Sequence, residues 1–153
     1  MTLASAPIRG GRLNTRLEWQ GAEFLVLAHL LIEGIEAYKP YVNHPGYDLV
    51  ALNPNANKLA RISVKSRWAT NRAGHFPLNS LDCDFVVHVA LNRGERLNKV
   101  TIDTSIQGAQ LYILPIDVCT NARSMSNKMN LRNIPNVERF ESNWDLIKKF
   151  LEA

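Results

Sequence analysis

The sequence predicts an α/β domain in which a mixed sheet of about five strands is flanked by helices. Three observations carry that prediction. Residues 15–35 repeat apolar side chains at helical spacing, residues 46–67 alternate like two short strands joined by a turn, and residues 85–91 are a nearly continuous apolar run of strand length. A helix with one apolar stripe and strands with apolar faces bury those surfaces by packing on one another, which is the layered α/β solution.

The first dozen residues, 1–12, read as a loose arm. A helix over 15–35 follows, with Asn14 or Thr15 as N-cap and Gly34 near its end. At about 100° per residue, Glu18, His29 and Glu33 share one narrow arc, the expected wet face. Glu23 falls nearly opposite, among Trp19, Val26, Leu27 and Leu30. A carboxylate inside an apolar stripe is costly to keep ionised without a cation or several donors beside it. The same arc also allows Glu23 to stand at the stripe's edge, reaching water or pairing with Arg16.

The next stretch reads as a β-hairpin. Gly46-Tyr47-Asp48-Leu49-Val50-Ala51-Leu52 is one arm, residues 53–58 with Pro54 and three Asn form the turn, and residues 59–67 are the other arm. Arg61, Ser63, Lys65 and Arg67 share one face of the second arm, and Ile62 and Val64 share the other. One face is therefore polar. Asp48 interrupts an apolar run on the first arm, and Lys65 is the partner across the turn that offsets its charge. An amphipathic hairpin with a solvated basic face and an Asp48–Lys65 ion pair satisfies the same pattern.

Residues 68–77 lack periodicity and read as a long loop beside the hairpin, offering Trp68, Arg72 and His75 to a ligand. A short helix at 79–82 is expected, then a central strand over 85–91, buried on both faces, with His88 a satisfied core histidine. A basic loop spans 92–99, residues 110–114 form a further strand stopped by Pro115, and residues 121–136 read as polar and irregular. The chain closes on an amphipathic helix over 143–151, capped by Ser142 or Asn143, with Trp144, Ile147, Phe150 and Leu151 turned inward.

With 153 residues, 46% of them hydrophobic, the chain fits one domain, 1–153, with a genuine core. No apolar run approaches the length of about 18 residues that a membrane helix needs, and no signal peptide is evident, so a cytoplasmic protein without membrane partners is expected. Cys83 and Cys119 form no close-spaced metal or redox motif and are expected to be packing residues. A net charge of +4 suits a polyanionic partner. The absence of a glycine-rich phosphate loop, a Gly-x-Ser-x-Gly elbow and a close histidine pair argues against a small-molecule enzyme.

An acid in the first helix, Asp48 in the strand motif Gly-Tyr-Asp-Leu-Val, and Lys65 in Ser-Val-Lys on the next strand together resemble the PD-(D/E)xK nuclease superfamily, with its restriction-endonuclease-like and Holliday-junction-resolvase-like members. The resemblance covers about residues 15–91 and implies an αβββαβ core. It makes Glu23, Asp48, Ser63 and Lys65 the catalytic positions, and Asp48, Glu23 and the Val64 backbone carbonyl the holders of Mg²⁺ or Mn²⁺. The implied activity is metal-dependent hydrolysis of DNA phosphodiesters by an endonuclease or junction resolvase, and a homodimer is expected because two strands must be addressed. Lys65 would orient or help deprotonate water and stabilise developing charge. Arg61, Arg67 and Arg72 are the expected phosphate-holding residues, since guanidinium forks match phosphate oxygens.

Ser63 departs from the family pattern, which has Glu or Gln there. A hydroxyl is a weaker ligand for a hard cation than a carboxylate. Three consequences stay open: Ser63 serves as a weak substitute in an active site, Asp82 or Asp84 supplies the missing acid, or the domain has lost catalysis and only binds nucleic acid or a protein partner.

Overall fold

The computed structural model describes residues 15–70, 75–97, 100–102 and 105–153. Asn14, the arm 1–12, Arg72 and Lys99, each given a place in the sequence reading, lie outside the described residues. Helix α1 runs Thr15–Ile32 and is followed by strands β1 (Glu36–Tyr38), β2 (Leu49–Asn53), β3 (Lys58–Arg67), β4 (Phe76–Pro77) and β5 (Phe85–Ala90). Then come β6 (Glu95–Leu97), β7 (Val100–Ile102), β8 (Gln110–Pro115), α2 (Ile116–Ala122), β9 (Lys128–Met129) and α3 (Asp145–Glu152).

Five strands form the main sheet in the order β1-β2-β3-β5-β8. β1, β2 and β3 make an antiparallel meander, β3 and β5 run parallel, and β8 returns antiparallel to β5. The mixed sheet of five strands is the one expected. α1 stops where Gly34 takes a positive φ of 79°. The Gly34 N–H then reaches the Leu31 carbonyl and the Ile35 N–H the Leu30 carbonyl, satisfying the last turn before the chain enters the edge strand.

Each face of the sheet carries its own core. Ala22, Val26 and Leu30 of α1 and Ile147 and Leu151 of α3 pack on Leu49, Ile62, Val64, Val87 and Ile113. On the opposite face, Val86, Tyr112 and Leu114 are covered by Phe76, Leu78, Cys119, Met129, Leu131, Ile134 and Phe140. β5 is buried along its whole length, as a strand covered on both faces must be. This second cover corrects the hairpin reading in part: on the polar face of β3 Ser63 is only 5% exposed, while Arg61, Lys65 and Arg67 are half-buried.

Several local expectations change for the same reason. Residues 121–136 are not an irregular polar stretch but contribute β9, a 3₁₀ turn at Leu131–Asn133 and buried apolar side chains to that cover. Trp68, expected to face a ligand, is buried. No helix forms at 79–82, where the chain instead approaches β3 through Arg61. Part of the expected basic loop is a β6–β7 hairpin. His29 leaves the wet face and stacks on Trp144, ring centroids 5.6 Å apart. α3 begins at Asp145 without a side-chain cap, and its inward residues are those expected, Phe150 meeting Phe85 edge-on at 5.4 Å.

His88 is buried as expected but not satisfied: neither ring nitrogen has a hydrogen-bond partner among the described residues. Burial, with a smaller push from Arg67, lowers its pKa to about 3. Cys83 and Cys119 are buried free thiols, pushed up to about 11 and about 12 chiefly by burial. They are packing residues. No helix among the described residues is long and apolar enough to cross a membrane.

Candidate active site

The site begins where β2 and β3 part. Leu49 pairs with Ile62 at the start of β2, and just before it the Asp48 N–H donates to the Ile62 carbonyl at 2.8 Å. Beyond that rung Val64 has no strand partner on this side, and its N–H donates to the Asp48 carboxylate, Oδ2, at 2.7 Å. The carboxylate thus ends the ladder and is locked in place by it. The approach to Asp48 is fixed by Gly46, where a Cβ would stand 2.6 Å from the Asp82 carbonyl oxygen. Only glycine allows that close passage.

Glu23 comes from the packed side of α1 and is only 6% exposed. Its carboxylate accepts a hydrogen bond from the Lys39 ammonium, just after β1. Burial raises its pKa above the usual carboxylate range; the Lys39 hydrogen bond opposes this, the Asp48 charge adds to it, and the Lys39 and Lys65 charges pull it down. Those charges place Asp48 and Lys65 within electrostatic reach of Glu23. All three border one cavity of about 540 Å³, with Val64, Ser66, Glu18 and Trp19, closed on one side by Phe76 and Pro77 of β4. A smaller cavity of about 140 Å³ shares Trp19, Glu23 and Asp48 and is completed by Lys39 and the loop carrying Pro40, His44 and Tyr47.

The family profile described as PD-(D/E)XK endonuclease matches residues 13–151. The chain belongs to that family. The bacterial homing endonuclease I-Ssp6803I has the same fold, with a TM-score of 0.57 at 21% identity over 89% of this chain and 92% of its own. Hjc, a Holliday junction resolvase from Archaeoglobus fulgidus, aligns with a TM-score of 0.47 at 16% identity over 77% of this chain and 88% of its own. No curated protein matches the chain.

Set against the PD-(D/E)XK pattern, the structure gathers Glu23, Asp48, Val64 and Lys65 and leaves other expected residues outside. Ser63 is buried beside Val86, its register partner on β5, and is not part of the cavity lining. Arg61 is engaged elsewhere. Its Nη1 lies 2.5 Å from Asp82 Oδ1, and its Nε and backbone N–H lie 3.2 and 2.7 Å from Asp84 Oδ2. Both aspartates hold β3 to the chain entering β5 through this knot, and neither lines the cavity. Arg67 donates from Nη1 to the His75 carbonyl at 3.1 Å, tying the end of β3 to the segment before β4.

Sequence reasoning missed Lys39 and assigned Glu18 to the wet face, although it borders the cavity. Lys39 follows a three-residue strand and precedes Pro40, so no periodicity marks it. The available signal was chemical: a buried acid at position 23 demands a cation, and Lys65 is nearer in motif than in contact.

Proposed function

We propose that the protein is a Mg²⁺- or Mn²⁺-dependent DNA endonuclease or junction resolvase that hydrolyses phosphodiester bonds. The observation that carries this reading is the meeting of Glu23, Asp48 and Lys65 at one cavity in a PD-(D/E)XK endonuclease family member. The donor set fits a small hard cation: the Asp48 carboxylate, the Glu23 carboxylate whose ionised form the Asp48 charge disfavours, and the Val64 carbonyl on the same side of β3 as the N–H that Asp48 holds. Glu23 and Asp48 would be the acids that hold it; among the described residues no cluster of three or more His, Cys, Asp or Glu side chains forms. Bound there, the cation supplies Lewis-acid stabilisation of charge on the phosphate.

The chain's own groups do the rest. Asp48, fixed by the Val64 N–H, keeps its carboxylate oriented without reorganisation. Lys65, half-buried at the cavity wall, orients the attacking water or, as the neutral amine, takes its proton, and faces the negative charge that develops on phosphate oxygens. Arg67 and Arg72 hold flanking phosphates. Arg61 is removed from that role by its aspartate partners and becomes a structural residue. A homodimer working in the cytoplasm belongs to the same reading; Leu17 and Leu31, two heptads apart on α1 and each more than half exposed, support self-association.

One observation favours a second reading, a nuclease-like domain that binds nucleic acid or protein without cutting. The family acid is replaced by Ser63, and the nearby aspartates are engaged by Arg61. Incubation with linear, branched and single-stranded DNA in Mg²⁺ or Mn²⁺ tests the choice. Cleavage that stops on chelation supports the nuclease; intact DNA that is nevertheless bound supports the binding domain.

A further inference from the structure

Two lysines face the acid pair, and only one belongs to the motif. Lys65 borders the larger cavity; Lys39 borders the smaller one, and both cavities share Glu23 and Asp48. Lys39 is well anchored, since the residue before it, Tyr38, pairs with Val50 and the residue after it is Pro40. Its ammonium is joined to Glu23 Oε2 and lies 4.8 Å from the centroid of the Phe24 ring. The Glu23 side chain is 7% exposed and the Lys39 side chain 31%, so the acid is fixed in the interior while the ammonium has a route to water.

We infer that Lys39 is a positioning residue that occupies Glu23 as an internal counter-ion, and that a divalent cation must displace it to fill the site. The inference rests on the metal-site reading of Glu23 and Asp48 given above. A carboxylate oxygen engaged by an ammonium is a poorer metal ligand, because the cation has to replace a charge-assisted hydrogen bond as well as water. The displaced ammonium is not stranded. The face of Phe24, itself 58% exposed, holds it by cation–π attraction beside solvent. Lys39 therefore supports Glu23 in the metal-free protein and raises the metal concentration at which the site fills.

Calorimetric titration of MgCl₂ and of MnCl₂ into the full chain without DNA tests this, using the wild type, Lys39→Met and Lys39→Arg. Lys39→Met should bind either metal at least about fivefold more tightly, the lower end of a typical coupling between two sites. It should also melt at a lower temperature than the wild type without metal and gain more on adding it. Lys39→Arg, which keeps the charge, should restore wild-type affinity. Lys39→Gln gives the same reading if Lys39→Met does not fold. Equal or weaker metal binding by the neutral variants, with the wild type binding normally, overturns the inference alone. Heat in none of the proteins overturns the metal-site reading and the inference together.

Discussion

The Asp48 carboxylate and the Val64 backbone N–H, 2.7 Å apart, close the β2–β3 ladder at the point where the two strands separate. The contact joins fold to site. The acid proposed to hold a cation is also the group that satisfies a backbone donor with no strand partner on that side, so its position is set by the sheet.

Asp48→Asn keeps an acceptor for the Val64 N–H but removes the charge that disfavours ionised Glu23. Its melting temperature without metal should equal or exceed that of the wild type. The rise that Mg²⁺ or Mn²⁺ produces in the wild type should disappear. Thermal denaturation with and without metal checks both halves.

Arg61 separates structure from binding. Arg61→Ala leaves Asp82 and Asp84 without their shared partner, and because the arginine side chain is 34% exposed and partly screened, stability should fall by only about 1–2 kcal/mol. Urea denaturation measures that loss. The salt dependence of DNA binding should be unchanged, whereas Arg67→Ala together with Arg72→Ala should flatten it, each lost phosphate contact reducing the slope by about 1.

Ser63→Glu restores the residue type usual in the family, but at a position only 5% exposed. A buried carboxylate without a partner should lower the metal-free stability by about 3–5 kcal/mol. Because position 63 precedes Lys65 on the same face of β3, Mg²⁺ should recover part of that loss and produce a larger melting shift than in the wild type. A shift no larger than the wild type's would mean that this position does not face the cation.

His88 gives the fold an acid limit. Its pKa falls from 6.5 to about 3 on folding, mainly through burial, so the unfolded chain binds a proton that the native protein refuses. Its contribution to stability is complete above about pH 6.5 and is lost as the pH falls toward about 3. His88→Leu, which also removes two unpartnered ring nitrogens, should lose less stability over that window than the wild type. Melting temperatures measured between about pH 7 and pH 4 compare the two.

The parts of the molecule legible in the sequence are those where one residue violates its surroundings. Asp48 breaks an apolar strand and Glu23 an apolar helical stripe, so both announce a compensating charge, and Lys65 stands two strand positions from Ser63, where the motif requires it. Alternation along β3 could say which residues share a face but not what covers that face. Its cover is assembled from β4, α2, β9 and the 3₁₀ turns Leu131–Asn133 and Val137–Phe140, none longer than seven residues, too short for a period to show. α2 was hidden behind Pro115, which ends β8 and starts the helix, a position where proline's missing N–H costs nothing. The Arg61–Asp82–Asp84 knot was illegible because charge pairing over about twenty residues depends on the crossover's path, which no local pattern records.

In the proposed nuclease Lys65 performs chemistry at a site built by Glu23 and Asp48. Cleavage of DNA by the wild type and by Lys65→Ala, in Mg²⁺ and in Mn²⁺, with binding to the same DNA measured in parallel, tests it most directly. Lys65→Ala should fold, bind DNA within about tenfold of the wild type, and cleave at least about a hundredfold more slowly. An unchanged cleavage rate in Lys65→Ala would contradict it.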